Sequence, residues 1–132
     1  MTNRLELYHC EICGNLVEIL LSGEGELVCC GKPMNHLVSK GINEEGEEKH
    51  VPSFVKNECG NTVIHVGSVP HPMTSEHYIQ FVQCISENRD KVCTKFLKEG
   101  DVPKMLVGND FSGFLLAREY CNIHGLWEGN ND

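Results

Sequence analysis

Four of the chain's eight cysteines fall within its first 37 residues, as Cys10, Cys13, Cys29 and Cys30. No other feature constrains the fold as tightly. A piece of that length cannot bury enough apolar surface to stand alone, so it needs a staple. The spacing is C-x2-C, fifteen residues, then two adjacent cysteines. A C-x2-C turn aims two thiolates at one ion, with backbone amides near the sulfurs. A second pair from across a hairpin completes a tetrahedral S4 set. Adjacent cysteines bridge each other only with strain, which counts against two disulfides. Such a set suits zinc or a single iron, and thiolates alone do not decide between them.

Redox compartment bears on the same choice. The opening stretch "MTNRLELYHC" lacks the apolar core of a secretory signal, so the cytoplasm is the expected address. Thiols stay reduced there, and eight cysteines in 132 residues then read as metal ligands before disulfides. The net charge of -8 argues against nucleic acid and anionic membrane surfaces as partners. No apolar run approaches the roughly 20 residues needed to span a bilayer.

The chain divides at a composition change. Residues 1–37 form the cysteine-bearing module, with β-type runs "RLELYH" and "LVEILL" and a turn at "SGEGE". Residues 38–132 form a second domain. It opens with an acidic, glycine-punctuated connection, "VSKGINEEGEEK", in which Glu44, Glu45 and Glu47 are expected to be solvated. Five β-like segments follow: "HVPSFVK", "NTVIHVGSV", "EHYIQFVQCIS", "KVCTKFLK" and "FSGFLLAREYC". Short strands at this spacing predict an all-β, antiparallel sandwich. No helical period is sustained over 12 residues.

The second domain is rich in histidine. Of seven histidines, His50, His71, His77 and His124 sit in suggestive settings. His50 follows Glu48-Lys49 and precedes Val51-Pro52. His71 is flanked by Pro70 and Pro72, which restrict the backbone around it and favour a fixed ligand loop. His77 begins "HYIQFV", and His124 shares a turn with Cys121. Singly, each reads as a surface or satisfied core histidine. They become a site only if the fold brings them together.

The stretches "EKHVP", "GSVPHPMTSEHYIQ" and "AREYCNIHGLW" resemble the motifs of superoxide reductases. "CEICGN…LVCCGKPM" is similar to the desulforedoxin-type module that precedes them in the two-iron class, desulfoferrodoxin. The resemblance runs from about residue 5 to residue 127 and leaves every metal motif intact. It implies an immunoglobulin-like β-sandwich after the first module. It implies one-electron reduction of superoxide to hydrogen peroxide in that sandwich. Cys10, Cys13, Cys29 and Cys30 would hold a first iron, as electron relay or structural centre. His50, His71, His77 and His124 would surround a second iron, with Cys121 as its axial thiolate. Glu48 would match the carboxylate that fills the sixth position in the oxidised state, and Lys49 the cation beside the open position. A rubredoxin-type electron donor and a homodimer are implied as well.

Three cysteines and three histidines have no counterpart in that set. Cys84 and Cys93 lie in strand-like segments and read as core or partly buried thiols, while Cys59 lies in the turn "NECGN". His9 and His36 sit near the first cluster in sequence, and His65 is expected to point off a sheet face. Trp127 packs in the core or beside His124. Two other readings compete with the enzyme. A rubredoxin-like electron carrier leaves the histidine set without a purpose. A zinc-stabilised binding module leaves Glu48 and Lys49 unexplained.

Overall fold

The computed structural model describes residues 1–132, in two compact units, Met1–Val38 and Ser39–Asp132. The first contains β1 (Leu7–His9), β2 (Leu16–Glu18), β3 (Val28–Cys29), β4 (Lys32–Pro33) and β5 (Asn35–His36). β1 is central and antiparallel to both β2 and β5. β3 and β4 make a separate hairpin with Cys29 opposite Lys32. Its two turn residues, Cys30 and Gly31, have φ of 54° and 75°. Two successive left-handed residues are what a type I′ hairpin turn demands, and glycine meets that demand without strain. Strands here are shorter than the runs "RLELYH" and "LVEILL" predicted. Past Ile19 the apolar side chains lie uncovered: Leu20 and Leu21 are 70% and 85% exposed.

The second unit holds a single helical turn, α1 (Glu47–His50), then β6 (Pro52–Lys56), β7 (Thr62–Val66), β8 (Ile79–Ile85), β9 (Val92–Phe96), β10 (Lys104–Leu106), β11 (Leu116–Cys121) and β12 (Gly125–Asn130). All pairings between these strands are antiparallel. One sheet has the order β10-β7-β6 and the other β12-β11-β8-β9. Ile64 and Val66 of β7 and Met105 of β10 share one core cluster with Val82 and Cys84 of β8 and Ala117 and Cys121 of β11. The two sheets therefore bury their apolar faces against a common interior. The all-β expectation holds.

Two expectations need correction. The acidic connection is partly structured. Lys40 pairs with β12, donating its backbone N–H to Leu126 at 2.9 Å and accepting from Glu128 at 2.8 Å. Glu44 and Glu47 accept backbone N–H bonds from Gly41 and Asn43. These local carboxylate–amide bonds are a short-range effect that a reading of charge alone misses. Cys93 is exposed, because β9 is the open edge of its sheet.

α1 is anchored from outside. The Glu48 carbonyl accepts the backbone N–H groups of Ser68 and Val69 at 2.8 and 2.9 Å, and Gly67 donates to Val51 at 3.0 Å. The approach is so close that a Cβ on Gly67 would lie 2.6 Å from the Lys49 carbonyl carbon and oxygen. Gly67 also has φ of +76°. Gly67→Ala is therefore expected to destabilise the protein by about 2 kcal/mol or more. Denaturant midpoints at constant slope measure the loss, and an unchanged midpoint would show that this contact carries no strain.

Candidate metal centres

The first centre lies on two turns. The C-x2-C turn is closed by bonds from Gly14 N–H to the Cys10 carbonyl and from Cys10 N–H to the Asn15 carbonyl, both 2.9 Å. The β3–β4 hairpin brings up Cys29 and Cys30. The sulfurs of Cys13 and Cys29 are 3.6 Å apart, and those of Cys29 and Cys30 are 4.0 Å apart. All four sulfurs lie within 4.8 Å of one another. A tetrahedron with metal–sulfur bonds of about 2.3 Å has edges of about 3.8 Å, so the spacing fits one ion. None of the eight cysteines is in a disulfide.

Electrostatics reinforces the fit. Backbone N–H groups of Cys13, and then Ile12, pull the Cys10 thiol down to about 7. Its neighbours Cys13, Cys10 and Cys29 push Cys30 up to about 12. Crowded thiols cannot all ionise unaided; a bound cation removes that penalty. His36, expected nearby, engages other residues. It stacks on Tyr8 at 5.1 Å and lies 3.5 Å from the Glu6 carboxylate.

The second centre gathers residues far apart in sequence. His50 ends α1. His71 sits in the proline-flanked loop, His77 just ahead of β8, and Cys121 at the end of β11. His124 lies in the turn between β11 and β12. The β8–β11 register slips between Tyr120 and Cys121, so that Cys121 faces Ile79. Such an irregularity re-aims a side chain, here into the core. Asn122 then binds the β11–β12 turn to the His77 segment. Its Oδ1 accepts from Tyr78 N–H at 2.9 Å, and its Nδ2 donates to the Glu76 carbonyl at 2.9 Å.

The four imidazoles close a square. Ring centroids are 4.5 Å apart for His50–His71, 4.8 Å for His71–His77, 5.0 Å for His77–His124 and 4.9 Å for His124–His50. Each neighbouring pair meets edge to face. The inward nitrogen of each ring follows from what its other side does. His50 turns Nδ1 to the Glu119 carboxyl at 3.2 Å, leaving Nε2 to face His124 Nδ1 at 3.1 Å. His71 donates Nδ1–H to the Pro72 carbonyl at 2.6 Å, and its Nε2 lies 3.5 Å from Cys121 Sγ. His124 Nδ1 lies 3.8 Å from the same sulfur. His77 Nε2 is buried with no hydrogen-bond partner. A buried nitrogen without a partner, beside three others and a thiol, is what a metal ligand looks like before its metal.

The donor set is compact but uneven. Donor atoms of His50, His71, Cys121 and His124 all lie within 4.8 Å of one another, and His77 joins through its ring contacts. Burial, followed by mutual repulsion, lowers His50 to about 3. Burial also lowers His71 and His77. All three imidazoles are thus neutral and able to bind metal at neutral pH. Cys121 is buried, and burial raises its thiol. A cavity of about 590 Å3 reaches the rings at His50 and His124 and is lined also by Glu48, Lys49 and Lys40. Glu48 and Lys49 are both exposed at its mouth.

Three supporting residues complete the site, and of these the sequence reading names only Trp127. Glu119 is fully buried, and burial raises its carboxyl to about 9, so it meets His50 as a neutral acid. Trp127 stacks on His50 with centroids 4.8 Å apart and donates Nε1–H to the His124 carbonyl at 3.1 Å. Asn122 is the third. Glu119 and Asn122 flank Cys121 so closely that the quoted motif contained them. Only their partners across the sheet reveal what they do.

An all-β scaffold with four convergent thiols in one unit, and four imidazoles over a thiol in the other, defines a two-centre non-haem metalloprotein. Residues 42–130 match the family described as Desulfoferrodoxin, and residues 2–37 match its N-terminal domain. The chain belongs to the desulfoferrodoxin family. It is 46% identical to the desulfoferrodoxin of Syntrophotalea carbinolica, covering 96% of this chain and 97% of that one. The superoxide reductase of Pyrococcus furiosus is 30% identical over 61% of this chain and 85% of its own. The crystal structure of the superoxide reductase from Treponema pallidum matches with a TM-score of 0.71 and 26% identity, over 98% of this chain and 99% of that one.

Glu119→Ala removes the only acceptor given to His50 Nδ1. Iron at the histidine centre is then expected to be held about 10–100-fold more weakly. Glu119→Gln keeps an acceptor and should stay near wild type. Competition with a chelator measures both, and equal retention in all three proteins would refute the orienting role.

Proposed function

We infer that this chain is a superoxide reductase with two iron centres. The observation that carries the reading is the closed square of His50, His71, His77 and His124. Buried Cys121 adjoins it, and a cavity bearing Glu48 and Lys49 reaches it at His50 and His124. The relatives named superoxide reductase in Pyrococcus furiosus and Treponema pallidum support it. Residues 38–132 would form the catalytic domain, and residues 1–37 the Fe(Cys)4 module that relays electrons or stabilises the fold.

The net reaction joins one superoxide anion, one electron and two protons to give hydrogen peroxide. Iron held by the four imidazoles and the Cys121 thiolate would supply the electron and bind the anion. Neutral imidazoles would leave the charge of a bound metal uncancelled, and the Cys121 thiolate would donate electron density to it. Lys49 offsets the carboxylates around the cavity and draws the anion in. Lys49 is exposed, so it would exchange protons with solvent. Glu48 caps the site when no substrate is present. A rubredoxin-type protein would supply the electron, and a cytoplasmic homodimer is the family-based expectation. No helix is long and apolar enough to cross a membrane.

Iron-loaded protein is expected to consume superoxide and release hydrogen peroxide without evolving oxygen. Oxygen evolution would mean dismutation, and zinc at the histidine centre of native material would refute the assignment. Lys49→Ala should slow the second-order reaction by about tenfold at low salt and flatten its ionic-strength dependence. An unchanged low-salt rate would remove Lys49 from the mechanism. Glu48→Ala should leave superoxide reduction largely intact but shift the visible spectrum of the oxidised protein. An unshifted spectrum would argue against ligation by Glu48.

A further inference from the structure

The cavity over the imidazoles is lined by a second lysine that the family resemblance does not include. Lys40 lies nine residues before Lys49 and on a different element, in the segment paired with β12. It is not a freely moving surface lysine. Its backbone is held on both sides by Leu126 and Glu128 at 2.9 and 2.8 Å. Its Nζ donates to the carbonyl of His124 at 3.2 Å and lies 5.4 Å from the centre of the Trp127 ring. The His124 carbonyl also accepts from Trp127 Nε1–H, so ring, carbonyl and ammonium form one connected group. A cation–π contact and a charged hydrogen bond each favour keeping that ammonium in one place.

Charge around the opening makes the position matter. Glu44, Glu45 and Glu48 line the cavity with Lys40 and Lys49, three carboxylates against two ammonium groups. The whole chain carries -8, so an approaching anion meets repulsion until local cations dominate. Removing Lys40 leaves one cation against three carboxylates.

We propose that Lys40, pinned by the His124 carbonyl and the Trp127 ring, is a second anion-recruiting cation of the iron site. The proposal rests on the superoxide reductase reading of that site. Lys49 and Lys40 reach the cavity from α1 and from the segment paired with β12, so the anion meets two cations, one of them pinned. The backbone position of Lys40 is set by sheet pairing, which explains how a residue in an acidic connection serves the site.

Azide, a small anion that needs no turnover, tests the recruitment directly. Iron-loaded wild type, Lys40→Gln and Lys40→Arg are first compared for iron per chain. Azide affinity of the oxidised proteins is then titrated by visible absorbance at low and high ionic strength. The second-order rate with superoxide is measured in parallel. Lys40→Gln should weaken azide and slow superoxide by about two- to fivefold at low salt. The difference should vanish near 0.5 M salt, where the Debye length is only about 4 Å. Lys40→Arg should track wild type. Four results would overturn the proposal: an unchanged Lys40→Gln protein at low salt; an Arg variant as impaired as the Gln variant; a defect that persists at high salt; or loss of iron from Lys40→Gln, which would make Lys40 a structural tie. If wild type fails to reduce superoxide while Lys40→Gln still weakens azide, the functional reading falls and the role of Lys40 stands.

Discussion

The repulsion among crowded metal donors governs this molecule. Four thiols within 4.8 Å of one another cannot all be thiolates without a cation, and burial holds His50, His71 and His77 neutral where they pack edge to face. Each cluster is unfavourable in the bare chain and becomes favourable around a metal. The surrounding structure holds donors together that would otherwise separate. In the first unit little else is present to do so, since Leu5, Leu7 and Cys10 are its main buried apolar side chains. In the second, two sheets with a shared core supply the rigidity.

The two centres solve the problem differently. The thiol centre uses local geometry: a C-x2-C turn and a two-residue hairpin turn, each closed by its own backbone. Cys13 and Cys30 remain exposed, so the site is shallow. The imidazole centre uses long-range geometry. Two of its rings have a partner that settles which nitrogen points inward, and a third is placed through its backbone neighbours. The partners are Glu119 for His50 and the Pro72 carbonyl for His71, and the Asn122 bonds flank His77. With Cys121 buried and His124 exposed, the same square is closed on one side and accessible on the other. That asymmetry leaves the imidazole centre reachable from solvent while its thiol stays buried.

Charge placement follows the same division. The acidic connection looks like a solvated linker by composition, yet part of it pairs with β12 and part forms α1. Those two anchors deliver Lys40 and Lys49 to one cavity. Composition alone assigns the segment to solvent because it averages charge along the chain. The cavity sees only the few charges that backbone pairing turns toward it.

Much was legible in the sequence for physical reasons. Short apolar runs between turn residues specified an all-β chain, because alternation and turn chemistry act over a few residues. The cysteine spacing announced a metal centre, because C-x2-C and Cys30-Gly31 turns are local. The motif stretches named the histidines, Cys121, Glu48 and Lys49. What the sequence could not contain was distance. Convergence of His50, His71, His77 and His124, the choice of Nδ1 for His124 against Nε2 for the others, and the orienting partner Glu119 all depend on strands that meet across the sheet. So do the clamp by Asn122 and the pinning of Lys40. Local chemistry determined which residues can bind metal. Only tertiary packing decided which of them meet, because residues up to 74 positions apart are brought together by register and core burial, not by neighbourhood along the chain.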